Sequence, residues 1–238
     1  MKKDVLGVKI DDLNLQQAVG IVKAWLKEGK GQKHYIVTPN PEFVMLAQKD
    51  EAFRQVLNGA DLAIPDGVGL KRFAGFKNVV GGIYLVEDLC RVAADLGFTT
   101  IFLGGRNGVA VKAAERLQKK YQGLKIAFAG DGPEVNKEGL GNSIKLPPAD
   151  LLFVGFGQVK QEKWIANNLD KLPVRVAMGV GGSFDEISGK VLGVPRWVHS
   201  LGLKWLFRLI LQPQRFKRQL AIWQFAWLTL RKSATVKS

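Results

Sequence analysis

Apolar, strand-like runs recur along this chain, each ending in glycine or proline and each followed by a stretch of helical periodicity. HYIVT (34–38) runs into TPNPE, and DLAIPDGVG (61–69) is a short strand and then a turn. TTIFLGG (99–105), LKIAFAG (124–130), DLLFVGFG (150–157) and VRVAMGVGG (174–182) all run into glycines. Between them lie helical patterns. LQQAVGIVKAWLKEG places Leu15, Val19, Val22 and Leu26 on one face behind a capping Asn14. Asn40-Pro41 opens another helix, a short one follows at 51–57, and LVEDLCRVAADLG (85–97) closes on Gly97. VAVKAAERLQKKY (109–121) and QEKWIANNLDKL complete the set, while VLGVKI (5–10) reads as a first strand or hairpin arm. This rhythm predicts an α/β fold, a parallel sheet with helices on both faces. Such sheets bind ligands beyond the carboxyl ends of their strands. The segments expected to carry chemistry are therefore TPN (38–40), IPDGVG (64–69), LGGRNG (103–108), GFGQVKQEKW (155–164) and GVGGSFD (179–185).

Composition narrows the class. The chain has 238 residues, 47% of them apolar and 24% charged, enough for a sizeable core and unlike a disordered sequence. One cysteine, Cys90, excludes a disulfide scaffold, a cysteine zinc cluster and a CxxC redox site. Two histidines, His34 and His199, argue against a histidine metal site and read as structural or surface residues. There is no DxD, HExxH or GxSxG and no Ser/His/Asp set at plausible spacing, so neither a metal nor a cofactor is expected.

The net charge is +14, unevenly spread. After Glu186, the last acidic residue, come ten lysines and arginines, which leaves +4 on the first 186 residues. Four of the six tryptophans also lie in this tail, beyond a composition break near Gly193-Val194-Pro195. Pro213 is expected to start the final helix, in which Phe216, Leu220, Trp223, Trp227 and Leu230 form an apolar stripe near Arg215 and Arg218. A basic, aromatic amphipathic helix suits an anionic membrane surface; the plainer alternative is a helix docked on the core. The start MKKDVLGVKIDD does not read as a secretion signal, and LAIWQFAWLTL (220–230) is too short to span a bilayer. A cytoplasmic protein, peripheral on the inner face of the cell membrane, is expected. The expected division is a body (1–195) and a helical membrane-associating appendage (196–238).

Each strand-end motif has a functional and a plainer reading. LGGRNG, with Gly104, Gly105 and Gly108, is either a phosphate or sugar contact or an ordinary βα turn. GVGGSFD sets Gly181, Gly182, Ser183 and Asp185 to meet a nucleotide, or to begin a helix. Asp66 in IPDGVG reads, taken alone, as a turn residue. Lys160 and Lys163 at a helix start oppose the helix dipole, a conflict that an anionic ligand would remove.

Together TPNPEFVMLAQKD, IPDGVG, GFGQVKQEKW, MGVGGSFDEISGKV and LGLKWLFRLILQPQRFKRQ resemble the WecG/TagA/CpsF glycosyltransferases, over about residues 6–220. The resemblance implies a Rossmann-like body with a membrane-meeting appendage. It also implies inverting, metal-independent transfer of N-acetylmannosamine or a related sugar from UDP to N-acetylglucosamine on a polyprenyl diphosphate, as in teichoic acid synthesis. By the same resemblance Asp66 is the base, Thr38 and Asn40 line the sugar pocket, Gln161 is a substrate-binding residue, and Asp185 lies near the nucleotide. Gly104, Gly105, Gly181 and Gly182 are the backbone contacts expected of the glycine-rich ends, and Arg208, Arg215 and Arg218 are the appendage cations. One stretch departs: where the family usually has an arginine and later an aspartate, NVVGGIY (78–84) has Val79 and Tyr84. The rival class is a non-catalytic basic protein binding anionic lipid or nucleic acid, disfavoured by the glycine-rich strand ends. Self-association stays open.

Overall fold

The computed structural model describes residues 2–28, 31–193, 198, 204–211 and 216–235. Six strands form one wholly parallel sheet: β3 (His34–Val37), β4 (Leu62–Ala63), β5 (Thr99–Gly104), β6 (Lys125–Gly130), β7 (Ala149–Gly155) and β8 (Val174–Gly179). Their order across the sheet is β4-β3-β8-β7-β5-β6. The chain builds outward from β3 to β4, crosses to β5 and β6, and returns to fill the centre with β7 and β8. Every loop after a strand consequently emerges on the same edge.

The strands' strict alternation explains the layers. Ile36, Phe102, Leu151, Phe153, Val176 and Met178 face one side. There they meet α1 (Leu15–Lys27) through Ala18, Val22 and Leu26, α5 (Gly82–Leu96) through Leu85 and Leu89, and α6 (Val109–Lys120) through Ala110 and Ala113. On the other side Ile101, Leu103, Leu152, Val154 and Ala177 pack with Trp164 and Ile165 of α7 (Lys160–Asn168). Val37 and Ala63 meet Phe43 and Val44 of α2 (Pro41–Ala47) and Phe53 and Leu57 of α3 (Glu51–Gly59). Rossmann-like layering with helices on both faces is thus as expected.

Of the two readings of VLGVKI the structure shows the hairpin: β1 (Lys2–Val5) and β2 (Val8–Asp11) pair antiparallel, and the turn falls inside the run at Leu6 and Gly7, both at positive φ (52° and 83°). That geometry matches a two-residue turn to the strand twist. IPDGVG is more than a turn, since α4 (Val68–Phe73) begins within it.

The remaining α-helices with described bounds are α8 (Ser183–Ile187), α9 (Lys204–Leu211) and α10 (Phe216–Thr235). α10 packs on α2 and α4, with Phe225 wholly buried in the same cluster as Val44 and Leu70. Its docking face centres on Phe225, with Ala221 and Leu228 packed in the same cluster, and Ala226 and Thr229 beside them are buried. Of the expected apolar stripe, Leu220, Trp223, Trp227 and Leu230 lie elsewhere on the helix, 50–70% exposed, and the side chain of Phe216 lies outside what is described. Pro195, His199, Pro213 and Arg215 lie outside the described residues. His34 stacks on Trp25 at 4.2 Å, at the start of β3 and away from the strand ends.

Candidate active site

The loops after all six strands surround one cleft of about 830 Å³. After β3, Thr38 and Asn40 line it. Asn40 also caps α2, its side-chain oxygen accepting the Phe43 N–H at 2.9 Å, with Pro41 at the first helical position. The cap thus fixes a residue that also faces the cleft.

Asp66 lines the cleft after β4. The Asp66 N–H donates to the Pro39 carbonyl at 2.9 Å, and the Val80 N–H donates to Pro65 at 2.7 Å. α4 then packs so closely on the TPNP segment that a side chain at Gly69 would meet Pro41 Cγ at 2.6 Å. The PDG turn is held on two sides, and its carboxylate is presented from a rigid support.

After β5, Gly105, Arg106 and Asn107 line the cleft. Gly104 does not; it stands behind the wall. At φ 111° it pairs with Gly155 of β7, and a Cβ there would lie 2.7 Å from the Gly155 backbone. The loop is fixed at both ends, by Gly105 N–H to the Gly155 carbonyl (2.8 Å) and Gly108 N–H to Asp131 Oδ1 (3.0 Å). Asp131, Glu134 and Val135, after β6, add a wall that no strand-end motif announces.

Gln158, Lys160 and Gln161 line the cleft after β7, and Gly181, Gly182, Ser183, Asp185 and Lys190 after β8. Gln161 is nearly wholly buried, and its Oε1 accepts the Gly181 N–H at 3.0 Å. The two lysines expected to seek an anion are engaged internally. Lys163 Nζ reaches Asp50 at 2.7 Å and Lys160 Nζ donates to the Val135 carbonyl at 2.8 Å. Burial raises the Asp50 carboxyl; Lys163 and the Phe53 and Ala52 N–H groups outweigh it and hold it below the usual range. Asp185 pairs with Lys190 at 3.3 Å.

Thr38, Asn40, Asp66, Gly105, Gln161, Gly181, Gly182 and Asp185 are therefore brought together, with Gly104 behind them. Arg208 falls on α9 and Arg218 on α10; their side chains, and Arg215 entirely, lie outside what is described. Among the described lining residues the carboxylates Glu42, Asp66, Asp131, Glu134 and Asp185 outnumber the cations Arg106, Lys160 and Lys190. Arg106, exposed after β5, makes no hydrogen bond or ion pair with another described residue. The NVVGGIY stretch frames α5: Gly82 and Ile83 line the cleft, whereas Val79 is half-buried against the cluster that holds Phe225. Among the described residues there is no group of three or more metal-ligating side chains, and no helix is long and apolar enough to cross a membrane.

A profile of the glycosyl transferase WecG/TagA/CpsF family matches residues 3–238. The chain is similar to the N-acetylglucosaminyldiphosphoundecaprenol N-acetyl-beta-D-mannosaminyltransferase of Bacillus subtilis (strain 168), 31% identical over 220 residues, 87% of this chain and 86% of that one. It is also similar to the protein of that name from Staphylococcus aureus (strain NCTC 8325 / PS 47), 28% identical over 242 residues, 99% of this chain and 95% of the other.

Proposed function

The chain belongs to the WecG/TagA/CpsF glycosyltransferase family, and from that premise we propose that it moves N-acetylmannosamine from a UDP donor to N-acetylglucosamine carried on undecaprenyl diphosphate. The observation that carries this reading is the convergence of the strand-end motifs on one cleft, Asp66 among them. A simple electrostatic binder needs no such convergence. The names of the two relatives supply the sugar and the acceptor.

The chemistry assigns roles to residues. The acceptor hydroxyl gives its proton to the Asp66 carboxylate as its oxygen attacks the anomeric carbon from the face opposite the diphosphate. The bond from that carbon to the diphosphate oxygen breaks, UDP leaves with the bonding pair, and the configuration inverts. A positioned base of this kind contributes about 10²–10⁴-fold. The departing diphosphate gains charge, which needs cations or backbone N–H groups. The described cleft is poor in cations, which supports Arg208, Arg215 and Arg218 of the appendage as the suppliers. Thr38, Asn40 and Gln161 are assigned to the sugar, and the loops bearing Gly105, Gly181, Gly182 and Asp185 to the nucleotide.

The appendage (196–238) places the enzyme peripherally on the inner face of the membrane, where its lipid acceptor resides. The exposed stripe of α10 supports this, because a helix merely docked on the core would bury its tryptophans. The deciding experiment presents a panel of UDP-sugars with a polyprenyl-diphosphate N-acetylglucosamine analogue and follows UDP release. Release with UDP-N-acetylmannosamine is expected. No release with any donor, together with salt-sensitive binding to duplex DNA, would overturn the reading in favour of a nucleic-acid binder.

A further inference from the structure

One carboxylate beside the cleft has no place in the chemistry above. Glu162 is wholly buried at the start of α7. Its Oε2 accepts the N–H of Val159 at 2.8 Å, and its Oε1 accepts Gln161 Nε2 at 2.6 Å. Gln161 Oε1 in turn accepts the Gly181 N–H at 3.0 Å. Strand β8 runs directly against this pair: a Cβ at Gly179 would lie 2.7 Å from Glu162 Oε1 and 2.8 Å from Gln161 Nε2. Val159 itself sits at φ 71° and ψ −53°, a backbone region that a β-branched residue avoids unless its surroundings hold it there.

The polarity of this chain of bonds admits one solution. Backbone donors stand at both ends, Gly181 N–H and Val159 N–H. An amide accepts on one side and donates on the other, so Gln161 must turn its oxygen to Gly181 and its NH₂ to Glu162. Residue 162 must then accept from both sides, which an ionised carboxylate does and a carboxylic acid or an amide does not. With either of those, a donor faces a donor at Val159, or at Gly181 if the Gln161 amide turns over. Leaving a buried donor unmatched is costly.

We propose that Glu162 is a positioning residue for the nucleotide-sugar donor: its ionised carboxylate fixes the direction of the Gln161 amide and so locks the glycine loop at 181–182 to the strained turn at Val159. These are neighbouring walls of the cleft, and the proposal rests on the donor reading above. With the lock released, donor binding must order both loops itself, which weakens affinity.

The lock is sensitive to protons near neutrality. Burial pushes the Glu162 carboxyl up to about 7, against the hydrogen bonds from Gln161, its own N–H and Val159 that favour the ion. The charged groups on the elements packed around it are engaged elsewhere. On α7 Lys160 bonds to the Val135 carbonyl and Lys163 pairs with Asp50, which caps α3; on α3 Arg54 pairs with Glu51; Glu42 of α2 accepts from Gln158; Asp185 after β8 pairs with Lys190. Asp150 of β7 and Arg175 of β8 pair with each other at the opposite end of the sheet, and His34 of β3 lies beside Asp61 there. Asp170 and Lys171 lie in the turn after the far end of α7. The ionised, locked form prevails above about pH 7, and protonation releases it below.

The test uses the full-length protein and UDP. Calorimetric titration at pH 6 and pH 8 is run on wild type and Glu162→Gln, with amide-exchange protection at Gly181 and Val159 followed in wild type over the same interval. UDP ionises in this range too, and the variant's own pH trend reports that part. Wild-type affinity is expected to exceed the variant's about tenfold at pH 8, with the gap nearly closed at pH 6. Protection at Gly181 and Val159 is expected to fall together as the pH is lowered, a measurement that decides the matter even where the variant does not fold. A donor KM raised in the variant, with kcat little changed, is the kinetic counterpart. UDP binding indifferent both to pH and to Glu162→Gln, or protection at the two amides unchanged between pH 6 and pH 8, overturns this proposal alone. Failure of wild type to bind UDP at either pH overturns the donor reading and this proposal with it.

Discussion

Replacing Trp223 and Trp227 together by serine separates the two jobs that α10 can hold. In the folded chain these side chains are 70% and 60% exposed, so the fold loses little when they go. Surface substitutions of this kind usually change stability by no more than about 0.5 kcal/mol. A tryptophan offers roughly 150–250 Å² to an apolar phase, and at these exposures about 150 Å² of each remains in water, worth roughly 3.5 kcal/mol at 25 cal/mol per Å² if fully immersed. A helix lying in the headgroup region immerses about half of that face, roughly 2 kcal/mol per tryptophan, or at least a hundredfold in vesicle partitioning for the pair. Arg231, its guanidinium 5.3 Å from the Trp227 ring centre, keeps its charge for anionic headgroups. The contrasting variant is Phe225→Ala. Phe225 is wholly buried against α2 and α4, and emptying such a site costs about 3–5 kcal/mol. The assays are co-flotation with anionic vesicles and thermal melts of both variants. Expected are a double tryptophan variant with a near-wild-type melt and weak flotation, and a Phe225 variant melting roughly 10 °C lower. If the tryptophan variant floats like wild type, or melts as low as the Phe225 variant, the exposed stripe is not a membrane face and the reasoning fails.

Three further outcomes follow from the site. Asp66→Asn should hold UDP affinity within a few-fold while lowering turnover at least about a hundredfold in a UDP-release assay; undiminished turnover removes Asp66 as the base. Arg106→Ala should weaken UDP binding about tenfold by titration, the size of one hydrogen bond to a charged group, and unchanged affinity would place the diphosphate away from the β5 loop. Asp12 ties the hairpin to the segment that frames α5, accepting the Lys77 and Asn78 N–H groups at 3.2 and 3.1 Å and pairing with Lys3 at 2.8 Å. Burial raises its carboxyl, but Lys3 and those N–H groups win and lower it from the ordinary 3.8 to about 2. A depressed carboxylate stabilises fully above its unfolded value and loses that contribution as pH falls through the folded one. Melts of Asp12→Asn should therefore run below wild type at neutral pH and converge with it between about pH 4 and about pH 2; a constant gap across that interval refutes the link.

The strands and long helices are legible in the sequence because their burial follows local periodicity. Leu151, Leu152, Phe153 and Val154 form a continuous apolar run, as a strand covered on both faces must. α4 escapes such reading: VGLKRF is six residues long, follows a glycine without a side-chain cap, and is held by packing on Pro41 rather than by its own periodicity. Glu162 escapes for another reason. An acid in the first turn of a helix reads as a solvated partner of the dipole, and nothing local reveals that β8 closes over it. The partners of Lys160 and Lys163 come from residues 25 and 113 positions away, so their apparent need for an anion is met by tertiary structure. In α10 the strongest aromatic periodicity marks the exposed face, and the docking face is carried by the less conspicuous Ala221, Phe225 and Leu228.

That inversion of faces bears on how the appendage and the body depend on each other. Residues 1–186 carry only +4 of the chain's net charge, and the described lining of the cleft holds more carboxylates than cations, so a departing diphosphate finds little compensation there. Ten basic residues follow Glu186. α10 reaches the body by burying Phe225 in the cluster that includes Val44, whose helix α2 is capped by the cleft residue Asn40, and Leu70, whose helix α4 follows Asp66. The appendage is thus seated on the two helices that grow out of the TPN and PDG segments. Cutting the chain at 196 would remove its cations and expose that cluster in one stroke, so loss of activity in a truncated protein would not by itself assign a role to the arginines. Charge-removing substitutions at Arg208, Arg215 and Arg218, with Phe225 left in place, separate electrostatics from packing. On the proposed mechanism the membrane-facing side of α10 and its docking side act together. One holds the enzyme at the surface where its lipid acceptor lies, and the other anchors the basic tail beside the segments that present Asn40 and Asp66.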